Sequence, residues 1–119
     1  MERKYNCAVE LALALLGAKW KPVLLAQLKE GPFRYSELAA RVPNMSDKML
    51  TQRLHELTDL GFVRHNGLRY TLTKEGERLR PVLDALHSWG LQIANERGVA
   101  LVSEPELRAA KRGRGVRHG

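Results

Sequence analysis

"SDKMLTQRLHELTDLGFV", residues 46–63, decides the fold. At about 100 degrees per residue, Leu50, Leu54 and Leu57 fall in one narrow sector of a helix from Asp47 to about Leu60. Lys48, Gln52, His55 and Asp59 lie opposite, with Thr51 on one flank. Ser46 is a good N-cap and Gly61 a stop signal. One face of this helix is therefore a core face, and the other presents an amine, a carboxamide and an imidazole to the outside.

Upstream, "YSELAARV" reads as a shorter helix, with Leu38 and Val42 pointing inward and Glu37 near the positive helix end. Pro43 and Asn44 close it. Asn44 tolerates a left-handed backbone, so Pro43, Asn44 and Met45 form a compact turn. Two helices a tight turn apart make a helix-turn-helix. Before them, Pro22 suits the first turn of a helix carrying Val23, Leu24, Leu25 and Leu28 up to the Gly31-Pro32 break. "CAVELALALL" is apolar nearly all round, with Glu10 its one charge, and such a helix needs cover on several sides. A second subunit is the expected cover.

Downstream, "FVRHNGLRYTL" reads as a hairpin turning at Asn66-Gly67. A two-residue turn there pairs His65 with Leu68, Arg64 with Arg69 and Val63 with Tyr70. Val63, Leu68, Tyr70 and Leu72 would then share the buried face. Arg64 opposite Arg69 would repel, a penalty that a neighbouring polyanion removes. Thr73 caps a short helix through Leu79, and Pro81 opens a longer one with Val82, Leu86, Trp89 and Ile93 on a broad apolar face. The expected fold is mainly α with a small β-hairpin, a winged helix-turn-helix flanked by N- and C-terminal dimerisation helices. It occupies residues 1–98, and residues 99–119 form a basic, flexible tail.

The 119 residues suffice for one domain with a modest core. No stretch offers the roughly 20 apolar residues of a membrane span, and the N-terminus lacks a signal-peptide cleavage pattern, so a cytoplasmic protein away from membranes is expected. The single cysteine, Cys7, excludes an internal disulfide and fits a reducing compartment. Of the net charge of +7, five come from Arg108, Lys111, Arg112, Arg114 and Arg117 in "RAAKRGRGVRHG", which has no acid. The remaining chain is only weakly basic, so nucleic-acid affinity must come from local patches.

Such a patch is present. Gln and Lys side chains can read adenine and guanine edges, and the helix of residues 47–60 displays both beside a tight turn. The candidate DNA-facing residues are Ser46, Lys48, Met49, Thr51, Gln52, Arg53 and His55, with Arg64 and Arg69 on the wing. Ser46 and the helix start could hold a phosphate, Arg53 could reach the flanking strand, and the wing arginines could contact phosphate or minor groove. Cys7 follows Arg3 and Lys4 just before a helix, a setting that favours a reactive thiolate. His55, His65, His87 and His118 lack metal-ligand spacing. Neither a phosphate loop nor a nucleophile with an identifiable base is present, so no catalysis, no metal and no cofactor is expected.

"CAVELALALLGAKWKPVLLAQLKEGPFRYSELAARVPNMSDKMLTQRLHELTDLGFVRH" followed by "YTLTKEGERLRPVLDALHSWG" resembles the HxlR family of bacterial transcriptional regulators over roughly residues 7–90. The markers are Cys7, Gly17-Ala18-Lys19-Trp20, Phe33 to Leu38, Ser46 to Leu54, Gly61-Phe62-Val63 and Tyr70 to Thr73. The resemblance implies a homodimer whose first and last helices pair across a two-fold axis. Each recognition helix would enter a major groove of double-stranded DNA, with each wing on the adjacent backbone. It also implies that Cys7 senses oxidants or electrophiles. A shorter wing, Lys21-Pro22 at the second helix and the basic tail depart from the family pattern.

The expected function is thus a homodimeric regulator on a palindromic operator, responsive to thiol modification or to a small-molecule effector. Val9, Leu13, Leu16, Leu86, Trp89 and Ile93 are its expected dimer contacts. A winged-helix protein adaptor that never touches DNA is the alternative, but it has no need for Lys48, Gln52 and the wing arginines. A nucleic-acid coater driven by the tail is a third, and it would lose binding when residues 108–119 are removed.

Overall fold

A computed structural model describes residues 4–17 and 19–101. Arg3, His118 and the basic tail lie outside them. Among the described residues, six helices and three strands follow one another as α1 (Ala8–Leu16), α2 (Lys21–Leu28), β1 (Phe33–Arg34), α3 (Tyr35–Arg41), α4 (Asp47–Asp59), β2 (Val63–Asn66), β3 (Arg69–Leu72), α5 (Lys74–Glu77) and α6 (Arg80–Arg97). The architecture is a winged helix-turn-helix, with α3 and α4 as the helical pair and the sheet as the wing.

The core forms where the leucine stripes converge. Leu24, Leu25 and Leu28 of α2, Leu38 and Ala39 of α3, and Leu50, Leu54 and Leu57 of α4 are all buried, and Val63, Leu72 and Leu83 close the cluster. Fully burying one leucine is worth about 1.5–3 kcal/mol, so the three leucines of α4 fix both its position and its rotation about its axis. The turn before α4 is compact as expected, with Met45 N–H donating to Val42 C=O at 3.0 Å and Met45 itself buried. Asn44 does not use the left-handed region there, since only glycines have positive φ among the described residues.

Both ends of α4 are closed by local chemistry. Ser46 Oγ accepts the Met49 backbone N–H at 3.1 Å. At the other end Gly61 adopts φ 86°, which lets the Phe62 and Gly61 amides donate to Leu57 and Thr58 carbonyls. This double bond pattern is the one that glycine permits just past a helix end. The chain then leaves directly into β2.

The sheet is antiparallel with order β1-β3-β2. Its third strand, β1, has no periodicity to announce it because it is two residues long. The hairpin register corrects the expected one. Val63 pairs with Leu72, Arg64 with Thr71, His65 with Tyr70 and Asn66 with Arg69, so the turn residues are Gly67 and Leu68. An Asn-Gly turn would require positive φ at Asn66, whereas here Gly67 alone takes it, at 65°. The slip moves each partner by two positions and so keeps side chains on their faces. Val63 and Leu72 are buried and Tyr70 half-buried, but Leu68 sits in the turn, 69% exposed. Arg64 and Arg69 are diagonal neighbours, and Arg69 instead lies opposite Arg34 of β1.

Helix α6 packs on α2 through one edge only. Leu83 and Ala94 are buried, Lys29 pairs with Asp84, and Arg80 donates to the Lys29 carbonyl at 3.0 Å. The hydrogen bond from Lys29 holds the Asp84 carboxyl below its usual range, so this link persists at neutral pH and is lost only as pH falls through that lowered value. The rest of the apolar face, Val82, Leu86 and Trp89, looks away from the domain. In α1 no residue is buried.

Helix α5 is docked by contact at a glycine. Gly76 is buried, and a Cβ there would lie 2.1 Å from the Phe62 carbonyl oxygen. That same oxygen accepts the Thr73 amide at 3.0 Å, so the carbonyl cannot move away freely. Gly76→Ala is therefore expected to cost about 1–3 kcal/mol by overpacking. Denaturant unfolding measures it, and an unchanged midpoint would show that α5 does not depend on this contact.

Candidate nucleic-acid interface

With its leucines committed to the core, α4 turns Lys48, Thr51, Gln52, His55 and Asp59 to the outside. Tyr35, the first residue of α3, ties the two helices together at this face. Its hydroxyl donates to the Asp47 carbonyl at 3.0 Å and lies 3.1 Å from Thr51 Oγ1. The turn angle is thus set by a hydrogen bond as well as by packing.

The outward side chains are lightly held. Gln52 Nε2 reaches Glu56 at 3.5 Å, and His55 Nε2 stands 3.3 Å from Asp59. Contacts this long leave both side chains free to exchange partners at a base edge. The exposed amine of Lys48 has no ion pair among the described residues. Together these groups supply donors for guanine acceptors and a bidentate carboxamide for adenine.

Two expected residues are placed differently. Met49 is half-buried and packs on the core, so it shapes the base of the face more than its surface. Arg53 is also mostly covered, with Nη1 2.8 Å from Glu56 and a buried Nε that has no hydrogen-bond partner. Desolvation opposes ionisation of Glu56, but the hydrogen bond and charge of Arg53, with the Gln52 hydrogen bond and the Lys21 charge, together keep its carboxyl below the usual range. Arginine at position 53 follows the leucines by helical geometry, which places it beside Leu50 and Leu57 on the covered side.

On the wing, Arg64 and Arg69 are exposed and share the solvent face of the sheet. Arg69 stands 3.6 Å from Glu37. The opposite face carries His65 stacked on Tyr70, ring centres 4.0 Å apart and 8° from parallel, which stiffens the hairpin close to its turn. Burial and then the neighbouring Tyr35 push the Tyr70 phenol above its ordinary value, so it stays neutral. Arg34 and Tyr35 escaped the sequence reading. The signal for Tyr35 is its place one helical turn before Leu38 in a helix that must meet α4, and β1 has no signal at all.

The groups set apart from this face are exposed too. Cys7 is the N-cap residue of α1 and its thiol is exposed and free. Val9 and Leu13 of α1 are 66% and 62% exposed, and Leu86 and Trp89 of α6 are 49% and 62% exposed. Leu16 and Ile93 are half-buried, Leu16 against its own core. Trp20 packs partly on that core as well. Among the described residues no helix is long and apolar enough to cross a membrane.

Known proteins share this arrangement. The HxlR-like helix-turn-helix family matches residues 15–97. The HTH-type transcriptional regulator YtcD of Bacillus subtilis (strain 168) is 39% identical over 101 residues, covering 79% of this chain and 80% of that protein. The crystal structure of quinone-bound YodB from B. subtilis is similar with TM-score 0.64 and 36% identity, over 71% of this chain and 96% of that one. The redox regulator HypR in its oxidised form gives TM-score 0.64 and 32% identity, over 72% and 96%. With a match across most of its length and relatives of this identity, the chain belongs to the HxlR-like helix-turn-helix family of DNA-binding transcriptional regulators.

Proposed function

We propose that the chain acts as a homodimer on a two-fold symmetric operator, with Lys48, Thr51, Gln52 and His55 reading bases in successive major grooves. The carrying observation is the division of α4, whose leucine side is wholly buried and whose opposite side is wholly polar and exposed. Ser46 at the helix start and the wing arginines Arg64 and Arg69 would position the protein on phosphates. Arg53 and Met49 act from beneath, by supporting the helix.

The uncovered apolar faces of α1 and α6 supply the dimer surface. Val9 and Leu13 on α1 and Leu86 and Trp89 on α6, with Leu16 and Ile93 at the margin, leave large apolar side chains exposed on both helices, the kind of surface that marks a protein–protein contact. For the two copies of α4 to enter successive major grooves, a two-fold pairing of these helices must set them roughly 34–36 Å apart, one turn of B-DNA. Sedimentation at micromolar concentration should give twice the chain mass, and a monomer would contradict this arrangement.

Control is assigned to Cys7. It is the only thiol in the chain and stands exposed at the start of a helix that belongs to the proposed dimer surface. A quinone would add to the thiolate, forming a carbon–sulfur bond at the ring and leaving the reduced ring to take up a proton. An oxidant such as diamide would instead join the Cys7 thiols of two subunits. Either change disturbs α1 and, through the dimer, the spacing of the two reading helices. Support comes from the quinone-bound and oxidised forms of the similar proteins YodB and HypR.

Two outcomes are expected. Lys48→Ala and Gln52→Ala should each cost about 1–3 kcal/mol on the operator and relax discrimination at one base position per half-site. Fluorescence anisotropy on single-base operator variants tests it, and a loss equal for every sequence would remove these residues from base reading. Quinone treatment should release the operator from the wild type and leave Cys7→Ser bound. Equal release in both would place the sensor elsewhere.

A further inference from the structure

The register of the sheet sorts its side chains into two sets. Phe33, His65, Tyr70, Val63 and Leu72 share the face toward the core, and Arg34, Arg69, Asn66, Arg64 and Thr71 share the face toward solvent. Arg34 and Arg69 are directly opposite each other across β1 and β3, and Arg64 is the diagonal neighbour of Arg69 across β2. Like charges directly across a ladder destabilise it by a few tenths of a kcal/mol or more. Three guanidinium groups therefore crowd one small, exposed face at a cost to the fold.

One carboxylate offsets that cost. Glu37 Oε1 accepts the Arg34 backbone N–H at 2.7 Å and stands 3.6 Å from Arg69 Nη1. Both Glu37 and Arg69 are about half exposed, at 49% and 47%. At that separation and exposure the pair is worth little, and a stronger anion can displace it. Arg34 and Arg64 form no ion pair among the described residues. The patch is also continuous with the reading face, because Arg34 precedes Tyr35, whose hydroxyl touches Thr51 on α4.

Resting on the DNA-binding function proposed above, which sets Arg64 and Arg69 on phosphates, we propose that the phosphate contact extends across the solvent face of the sheet to β1 and is held in check by Glu37. Arg34 is a third cationic contact beside Arg64 and Arg69. Glu37 is the internal counter-ion, which a DNA phosphate replaces at Arg69. Glu37 thus offsets the charge of Arg69 in the free protein and weakens binding to every sequence, so that base contacts on α4 decide where the protein settles.

The test uses two variants of the full chain, with opposite expected signs, on the operator and on an unrelated duplex over about 50–200 mM salt. Arg34→Gln should weaken both duplexes by the same factor and reduce the salt slope by about 0.9, or roughly three- to fourfold in affinity across that range. Glu37→Gln keeps an acceptor for the Arg34 amide, as glutamine does in capping boxes, and removes only the charge. It should tighten both duplexes several-fold, with a steeper slope. A Glu37→Gln protein with unchanged affinity and slope would overturn the counter-ion role, whatever Arg34→Gln does to folding. A folded Arg34→Gln protein with the wild-type slope would overturn the third contact. In both cases retained operator preference in the wild type would leave the function of α4 standing, whereas a wild type that binds neither duplex would refute that function itself.

Discussion

The burial of Leu50, Leu54 and Leu57 is the interaction on which the rest depends. Truncating any one of them to alanine would cost about 2–5 kcal/mol, a large share of the stability of a domain this size. Helix α4 has therefore no alternative rotation about its axis, and what lies opposite the leucines is exposed by necessity. Lys48, Gln52 and His55 need no machinery of their own to be presented. The helix ends make the placement sharper, because Ser46 fixes where the first turn starts and Gly61 fixes where the chain departs for the sheet.

Around this fixed helix, charge and apolar surface are segregated. The sheet has an aromatic and aliphatic face toward the core and an arginine face toward solvent. Most of the large apolar side chains that the core leaves exposed lie on α1 and α6, the first and last helices of the described residues. Those helices connect to the winged unit chiefly through Leu16 of α1 and, on α6, through Leu83 and the Lys29–Asp84 and Arg80 links. A small area of attachment would let these helices shift without melting the core, which the control proposed for Cys7 requires.

Much of this was legible in the residues, and the exceptions have definite causes. Helices α2 to α4, the caps at Ser46 and Thr73, and the inward leucines follow from period, capping and punctuation, which act within a few residues of one another. The hairpin was legible but its register was not. The Asn66-Gly67 pair competes with a glycine-first turn at Gly67-Leu68, and the pairing of Val63 with Leu72 and the stacking of His65 on Tyr70 go with the latter. Strand β1 exists only because β3 lies beside it, so no local pattern could reveal it or the Arg34–Arg69 opposition. Charge alone makes Arg53 a surface cation, whereas its angular position sets it next to the leucines and against Glu56. The outward row of α4 is thus legible from angular position alone, but which of its side chains stand proud of the surface requires the packing.

The division of α4 into a buried and a reading side is tested most directly by selecting bound duplexes from a random pool with the full chain at physiological salt. The account expects enrichment of a two-fold symmetric motif, with half-site centres about 10–10.5 base pairs apart. A bound pool with no motif beyond the starting composition would contradict it, because the outward row would then serve no sequence at all.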